Sequence, residues 1–379
     1  MPAPGGAAID HLYARALIEL REPALATLET ASGLCDGWIR TFLGQLHAAI
    51  GNLPSHDFLA AFKPSVAFFD LHPIVIGHDP LKAALSLACF IIGGPSLGTT
   101  ALVIPEEALG EDGLYLPHLN VVLRGGWGPV AAEGTAGGVR LTWTDGLSVA
   151  VPCGLTPEAD EAHGRLLYLE SVDGWPVLNP IAQTRNPLLP VLPQPEPDAN
   201  PLEVATLAAG LGLLKEVWPL GHAATRRFLH SAILQPVLPD HSTSVTLDFL
   251  QGTFIASCRD AVQVADALVH EGSHARLAVL LRADPLILDD SLEQFDSPWR
   301  RDKRPLKGLL NGVHAFLNVA LFYRHLADKR PEMADYASEI FEVQRGKVKK
   351  GWATCAASAR ATALGQTFLG ELEAEVDKL

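Results

Sequence analysis

Apolar residues recur every three to four positions from about Ile9 to Leu53, most regularly through His11–Ile18 and Trp38–Ile50, which is the spacing of amphipathic helices. The pattern changes after Pro105–Gly113, a predicted connection. Leu119–Arg124 and Val139–Val151 are rich in β-branched and aromatic residues, and glycines at 125–126, 134 and 137–138 separate them as strand and hairpin punctuation does. Leu166–Val172 and Trp175–Leu178, joined through Asp173-Gly174, predict a further hairpin. Helical spacing returns at Leu202–Trp218 and His222–Leu234. One predicted strand, Ser244–Ser257, precedes helices over Asp260–Leu281, Leu306–Leu326, Pro331–Lys349 and Ala353–Asp377.

The predicted fold class is α+β, with a mixed N-terminal half carrying β-hairpins and a predominantly helical C-terminal half. Six prolines between Pro187 and Pro201 mark the best linker in the chain. The expected organisation is a mixed α/β region over 1–186, a Pro-rich linker over 187–201 and a helical region over 202–379.

Charge narrows the partners. The net charge of −14 opposes phosphate backbones and anionic lipid heads, so neither nucleic acid nor a membrane surface is expected. The N-terminus lacks a basic segment followed by an apolar one, and the apolar run at Ala83–Gly94 is too short to span a bilayer. Five dispersed cysteines with no CxxC pair predict reduced thiols, and the expected location is cytoplasmic.

The strongest chemical signal is His270-Glu271-Gly272-Ser273-His274, an HExxH string inside the predicted helix Asp260–Leu281. Histidines at i and i+4 share one helix face, and neutral imidazole is a good donor to zinc or iron. Ala267, His270, His274, Leu277 and Leu281 form one stripe toward an apolar interior, where two imidazoles need partners. A metal would supply one for both, and a hydrogen-bonded core pair is the other outcome. The longer HExxHxxGxxH pattern fails, because Leu277 and Leu280 stand at its last two marked positions.

A third ligand is less evident. Glu293 follows His274 at a workable spacing but lies in a turn-like acidic stretch, and Glu332, Glu339 and Glu342 read as a solvated helix face. On the helix from Leu306, Asn311, His314, Asn318 and His325 form a polar ribbon among apolar residues. His314 is the preferred third ligand and Asn311 its hydrogen-bonding neighbour. Between the two helices, Arg300, Arg301, Lys303 and Arg304 crowd into five positions, either as a solvated loop or as an anion site beside the metal.

The combination of Leu268-Val269-His270-Glu271-Gly272-Ser273-His274, the segment Ser297-Pro298-Trp299-Arg300 with Arg304-Pro305-Leu306 and Gly308, and the run 308–320 resembles the HExxH-motif proteins found beside peptide-modification gene clusters. The resemblance covers about 260–320. It implies an Fe(II)- and α-ketoglutarate (2-oxoglutarate)-dependent oxygenase that uses O2 to hydroxylate side-chain β-carbons of ribosomally made peptides. It further implies Arg300 or Arg304 on the distal carboxylate of α-ketoglutarate, and Glu271 orienting a ligand. In a zinc peptidase Glu271 would instead be the general base. The chain departs from the family at Asn311, where a histidine is expected, and His314 is the natural replacement one turn along.

Three functions follow: the oxygenase, a zinc metallopeptidase, and a non-catalytic peptide-binding protein. The N-terminal half is expected to help recognise a precursor peptide, with Leu119–Arg124 or Val139–Val151 offering a sheet edge in a groove between the halves. Its other roles would be buttressing the metal helices or forming a homodimer.

Overall fold

The computed structural model describes residues 21–22, 25–26, 28–30, 32–33, 37–52, 101–109, 114–116, 119, 121–135, 138–152, 165–168, 171–172, 175–176, 201–229, 231–235, 243–246, 252–257, 259–288 and 294–379. The expectations for His11–Ile18, Ala83–Gly94, Glu293 and nearly all of the Pro-rich segment lie outside these residues. The fold is α+β. The described residues form two compact units, one up to Pro176 and the other from Pro201 onward.

The first unit contains helix α1 (Gly37–Asn52), which buries Phe42, Leu43, Leu46 and Ile50 at helical spacing. A four-stranded antiparallel sheet runs in the order β1 (Leu102–Ile104), β4 (Val130–Thr135), β5 (Gly138–Trp143), β6 (Ser148–Pro152). Alternate residues Val139, Leu141 and Trp143 of β5 face the core, as a half-buried strand requires. The connection after Pro105 holds a single helical turn, α2 (Glu106–Leu109).

A second antiparallel sheet places β3 (Val121–Leu123) between β2 (Leu114–Leu116) and β7 (Leu166–Tyr168). Of the two segments expected to offer a free sheet edge, Val121–Leu123 therefore has both sides paired, and only β6 at the end of 139–151 lies at an edge. The hairpin across Asp173-Gly174 forms from β8 (Ser171–Val172) and β9 (Trp175–Pro176).

In the second unit, α3 (Pro201–Val217) and α4 (Pro219–Phe228) precede a small sheet. Ser231–Leu234, expected to continue the helix from His222, is instead strand β10. It pairs in parallel with β12 (Thr253–Ser257), and Ala232 and Ile233 are fully buried there. Burial between neighbours outweighs a helical spacing that carries straight on from α4. The expected single strand Ser244–Ser257 is two strands: β11 (Thr243–Val245) returns antiparallel against β12, and Gly252 at φ 80° precedes β12.

Helix α5 (Ala261–Ala283) begins at Asp260, whose carboxylate caps the N–H groups of Val262 and Gln263 at 2.9 Å each. It packs on α6 (Leu306–Lys329), which buries Leu309, Leu310, Val313, Leu317 and Leu321. Gly210 of α3 lies so close to Val264 of α5 that a Cβ there would stand 2.3 Å from its side chain, so only glycine permits this crossing. Helix α7 (Ala334–Ser358) runs nine residues past the expected end at Lys349, and α8 (Ala363–Asp377) follows a short break. No helix among the described residues is long and apolar enough to cross a membrane.

Candidate metal centre

The histidine pair sits near the middle of α5. His270 Nε2 and His274 Nε2 are 2.9 Å apart, with the two rings edge to face. His274 Nδ1 lies 2.8 Å from the side-chain oxygen of Asn311 on α6. That oxygen only accepts, so His274 Nδ1 donates to it and leaves Nε2 facing His270. Burial pushes the His270 imidazolium down to about 4, with the charge of His274 adding to the effect and that of Glu271 opposing it. His270 is thus neutral near pH 7.

Two ring nitrogens 2.9 Å apart are close enough to share one cation. Nitrogens about 2.1 Å from a common metal, at right angles, stand about 3.0 Å apart. Without a metal, His270 Nε2–H can donate to His274. The donor set therefore fits a divalent metal at two positions. Among the described residues, no third His, Cys, Asp or Glu completes a metal-binding group.

Asn311 is the residue of α6 that hydrogen-bonds to the pair. His314 is fully buried one turn further along, with its ring 5.9 Å from that of Phe368 on α8. Burial holds its imidazolium well below the ordinary value, and the nearby Arg276 guanidinium and His274 add to this. The Ser273 backbone of α5 faces the ring and opposes the lowering, although neither His314 nitrogen makes a hydrogen bond of ordinary geometry. The structure therefore leaves His314 apart from the pair. Asn318 donates to the His314 carbonyl at 2.9 Å, and His325 stacks on Trp218. Glu332, Glu339 and Glu342 are exposed.

Glu271 points elsewhere. Its buried carboxylate accepts from Ser244 Oγ at 2.8 Å, Thr246 N–H at 2.8 Å and Thr246 Oγ1 at 2.7 Å. It fastens β11 to α5 and spends both oxygens doing so. One turn before the pair, Asp266 accepts from the Tyr323 hydroxyl at 2.9 Å, and burial raises its carboxyl to about 6.

The basic segment is a compact loop closed by reciprocal 2.8 Å backbone hydrogen bonds between Phe295 and Arg304. Arg300, 60 % exposed, bonds Asp302 at 2.8 Å, while Arg304, 39 % exposed, reaches it only at 3.3 Å. Asp302 is held below the ordinary carboxylate range by Arg300 and, less strongly, by Arg304. The Arg304 Nε passes 3.4 Å from where a Cβ of Gly308 would be, one helical turn before Asn311. Of the two arginines, Arg304 is the more sheltered and is tied to the start of α6.

Trp299 turns inward from the same loop. Its indole stacks on Phe316 with centroids 4.8 Å apart and planes 7° from parallel, and Phe316 meets the His270 ring edge-on at 4.7 Å. The sequence pattern marked Trp299 without a role. A lone tryptophan inside a charged loop, followed by Gly312 and Phe316 on the next helix, was the available signal. Compared with models of known protein families and with curated proteins, the chain matches none.

Proposed function

We propose that this chain is an Fe(II)- and α-ketoglutarate-dependent oxygenase that hydroxylates a side-chain β-carbon of a ribosomally made peptide. The observation that carries the reading is the division of work within HExxH. Two imidazole nitrogens meet at 2.9 Å, and both oxygens of the glutamate between them are engaged by Ser244 and Thr246. A zinc peptidase needs that carboxylate beside the attacking water, so the engagement of Glu271 favours the oxygenase. The resemblance over 260–320 supplies the co-substrate and the substrate class.

His270 and His274 are the proposed ligands. His314 is the proposed third donor, supported by its place one turn along α6 from Asn311 and by a fully buried imidazole that burial keeps neutral. Its ring packs on Phe368 in this structure, so ligation requires a different rotamer. Arg304 is the proposed grip on the distal carboxylate of α-ketoglutarate, because a guanidinium holds a carboxylate bidentately and Asp302 engages it only weakly. Asn311 holds the His274 proton on Nδ1. Iron(II), when bound, supplies the O2 chemistry in which α-ketoglutarate becomes succinate and CO2 while a C–H bond becomes C–OH.

The absence of a third acid, cysteine or histidine beside the pair, among the described residues, favours a second reading: a peptide-binding protein whose metal site is degenerate. Calorimetry without O2 separates the two. The oxygenase binds α-ketoglutarate only after Fe(II) is added, and loses that binding in His270→Ala. A degenerate protein binds none under either condition.

A further inference from the structure

The two histidines are oriented by different means. His274 has a hydrogen-bonding partner behind its metal-facing nitrogen, the carbonyl oxygen of Asn311. A metal-binding imidazole ordinarily has such a partner, because the second ring nitrogen otherwise leaves the ring free to turn. His270 has none among the described residues; its only hydrogen bond is to His274. Its ring is held instead by the edge-on contact with Phe316.

Phe316 is in turn held by Trp299, and several contacts fix Trp299. The indole Nε1–H donates to Gln344 Oε1 of α7 at 3.2 Å. Its six-membered ring fills a slot between Gly312 of α6 and Gly351 of α7. A Cβ at either glycine would stand 3.1 Å from indole carbons, tighter than ordinary van der Waals contact. The loop that carries Trp299 is closed by the Phe295–Arg304 backbone pair, and Ser297 Oγ accepts the Trp299 N–H at 3.3 Å. A glycine on each flanking helix, a stacked ring and a hydrogen bond all serve to place one indole.

We propose that Trp299 is a positioning residue for the metal centre, setting the ring of His270 through Phe316. This assigns the Ser297-Pro298-Trp299 segment an orienting role and leaves anion binding to Arg304. The inference rests on the reading of His270 and His274 as metal ligands.

The test is Zn(II) titration of the full-length chain by calorimetry, with the visible spectrum of the Co(II)-loaded protein as a second readout. Trp299→Leu removes the stacked ring, and is expected to weaken Zn(II) binding by about 10- to 100-fold and to change the Co(II) spectrum. Trp299→Phe keeps a flat ring on Phe316 and is expected to restore both to within about three-fold of the parent, although it loses the bond to Gln344. If Trp299→Leu fails to fold, Phe316→Leu is read in the same way, since it removes the ring that touches His270. A folded Trp299→Leu or Phe316→Leu variant with the parent's affinity and Co(II) spectrum overturns the inference and leaves the metal reading intact. A parent chain whose Zn(II) binding does not depend on His270 and His274 overturns the metal reading and this inference with it.

Discussion

Glu271 and Thr246, 25 residues apart in sequence, are joined twice: the Glu271 carboxylate accepts both the backbone N–H and the hydroxyl of Thr246. With Ser244 on its other oxygen, three of the roughly four lone-pair sites of the carboxylate are engaged, and both oxygens are held against β11. Replacing Glu271 with Ala orphans three donors, and the expected loss of stability is about 3 kcal/mol. Denaturant unfolding checks this. Zn(II) or Fe(II) binding by the folded fraction should persist. Unchanged stability together with lost turnover would return Glu271 to the role of a base.

Asn311 decides which nitrogen of His274 donates to α6 and which is left toward His270. Asn311→Leu is expected to lower metal affinity by about 10- to 100-fold, whereas Asn311→Asp, which still accepts the Nδ1 proton, should bind at least as well as the parent. Metal titration of the two variants is the measurement. Equal affinities would show that the contact does not orient the ring.

His314 and the arginines separate cleanly. Metal content measured after gel filtration is expected to fall to background in His314→Ala; retained metal would mean a centre with two histidines. Arg304→Lys should weaken α-ketoglutarate binding about ten-fold or more, because a point charge loses the paired hydrogen bonds of the guanidinium, while Arg300→Lys should stay within about two-fold. The reverse order would move the anion site to the exposed side of the loop.

Asp266 gives the protein a pH signature. Burial raises its carboxyl from the ordinary 3.8 to about 6, so the unfolded chain ionises it first. Stability is then fully present below about pH 4 and is lost as pH rises through about 6, by roughly 3 kcal/mol for this group. Asp266→Asn, still able to accept from Tyr323, should abolish that part of the slope and be the more stable form at pH 7. Unfolding free energies at pH 4, 5, 6 and 7 for both proteins test this.

Much of this was legible along the chain because it is local. Asp260 as a cap and the spacing of Val264, Leu268 and Leu277 define α5, and HExxH lies on it in plain view. The pair β11 and β12 looks like one strand in the sequence because the β-branched runs on either side of Gly252 are continuous. Ser231–Leu234 carries helical spacing because its strand character depends on a partner 22 residues away. The clamp of Glu271 and the stack of Trp299 on Phe316 are invisible to periodicity for the same reason: each joins segments that only the tertiary fold brings together. His314 was singled out by helical spacing, yet its angular position on α6 directs it toward Phe368 and Arg276 while Asn311 meets His274.

The most direct test of the oxygenase is aerobic incubation of the full-length chain with Fe(II) and α-ketoglutarate, following succinate. The account predicts succinate above the protein-free background even without peptide, lost in His270→Ala and His274→Ala and diminished in Arg304→Lys. No succinate from the iron-loaded parent, with cleavage of peptides by the zinc-loaded chain, would contradict it.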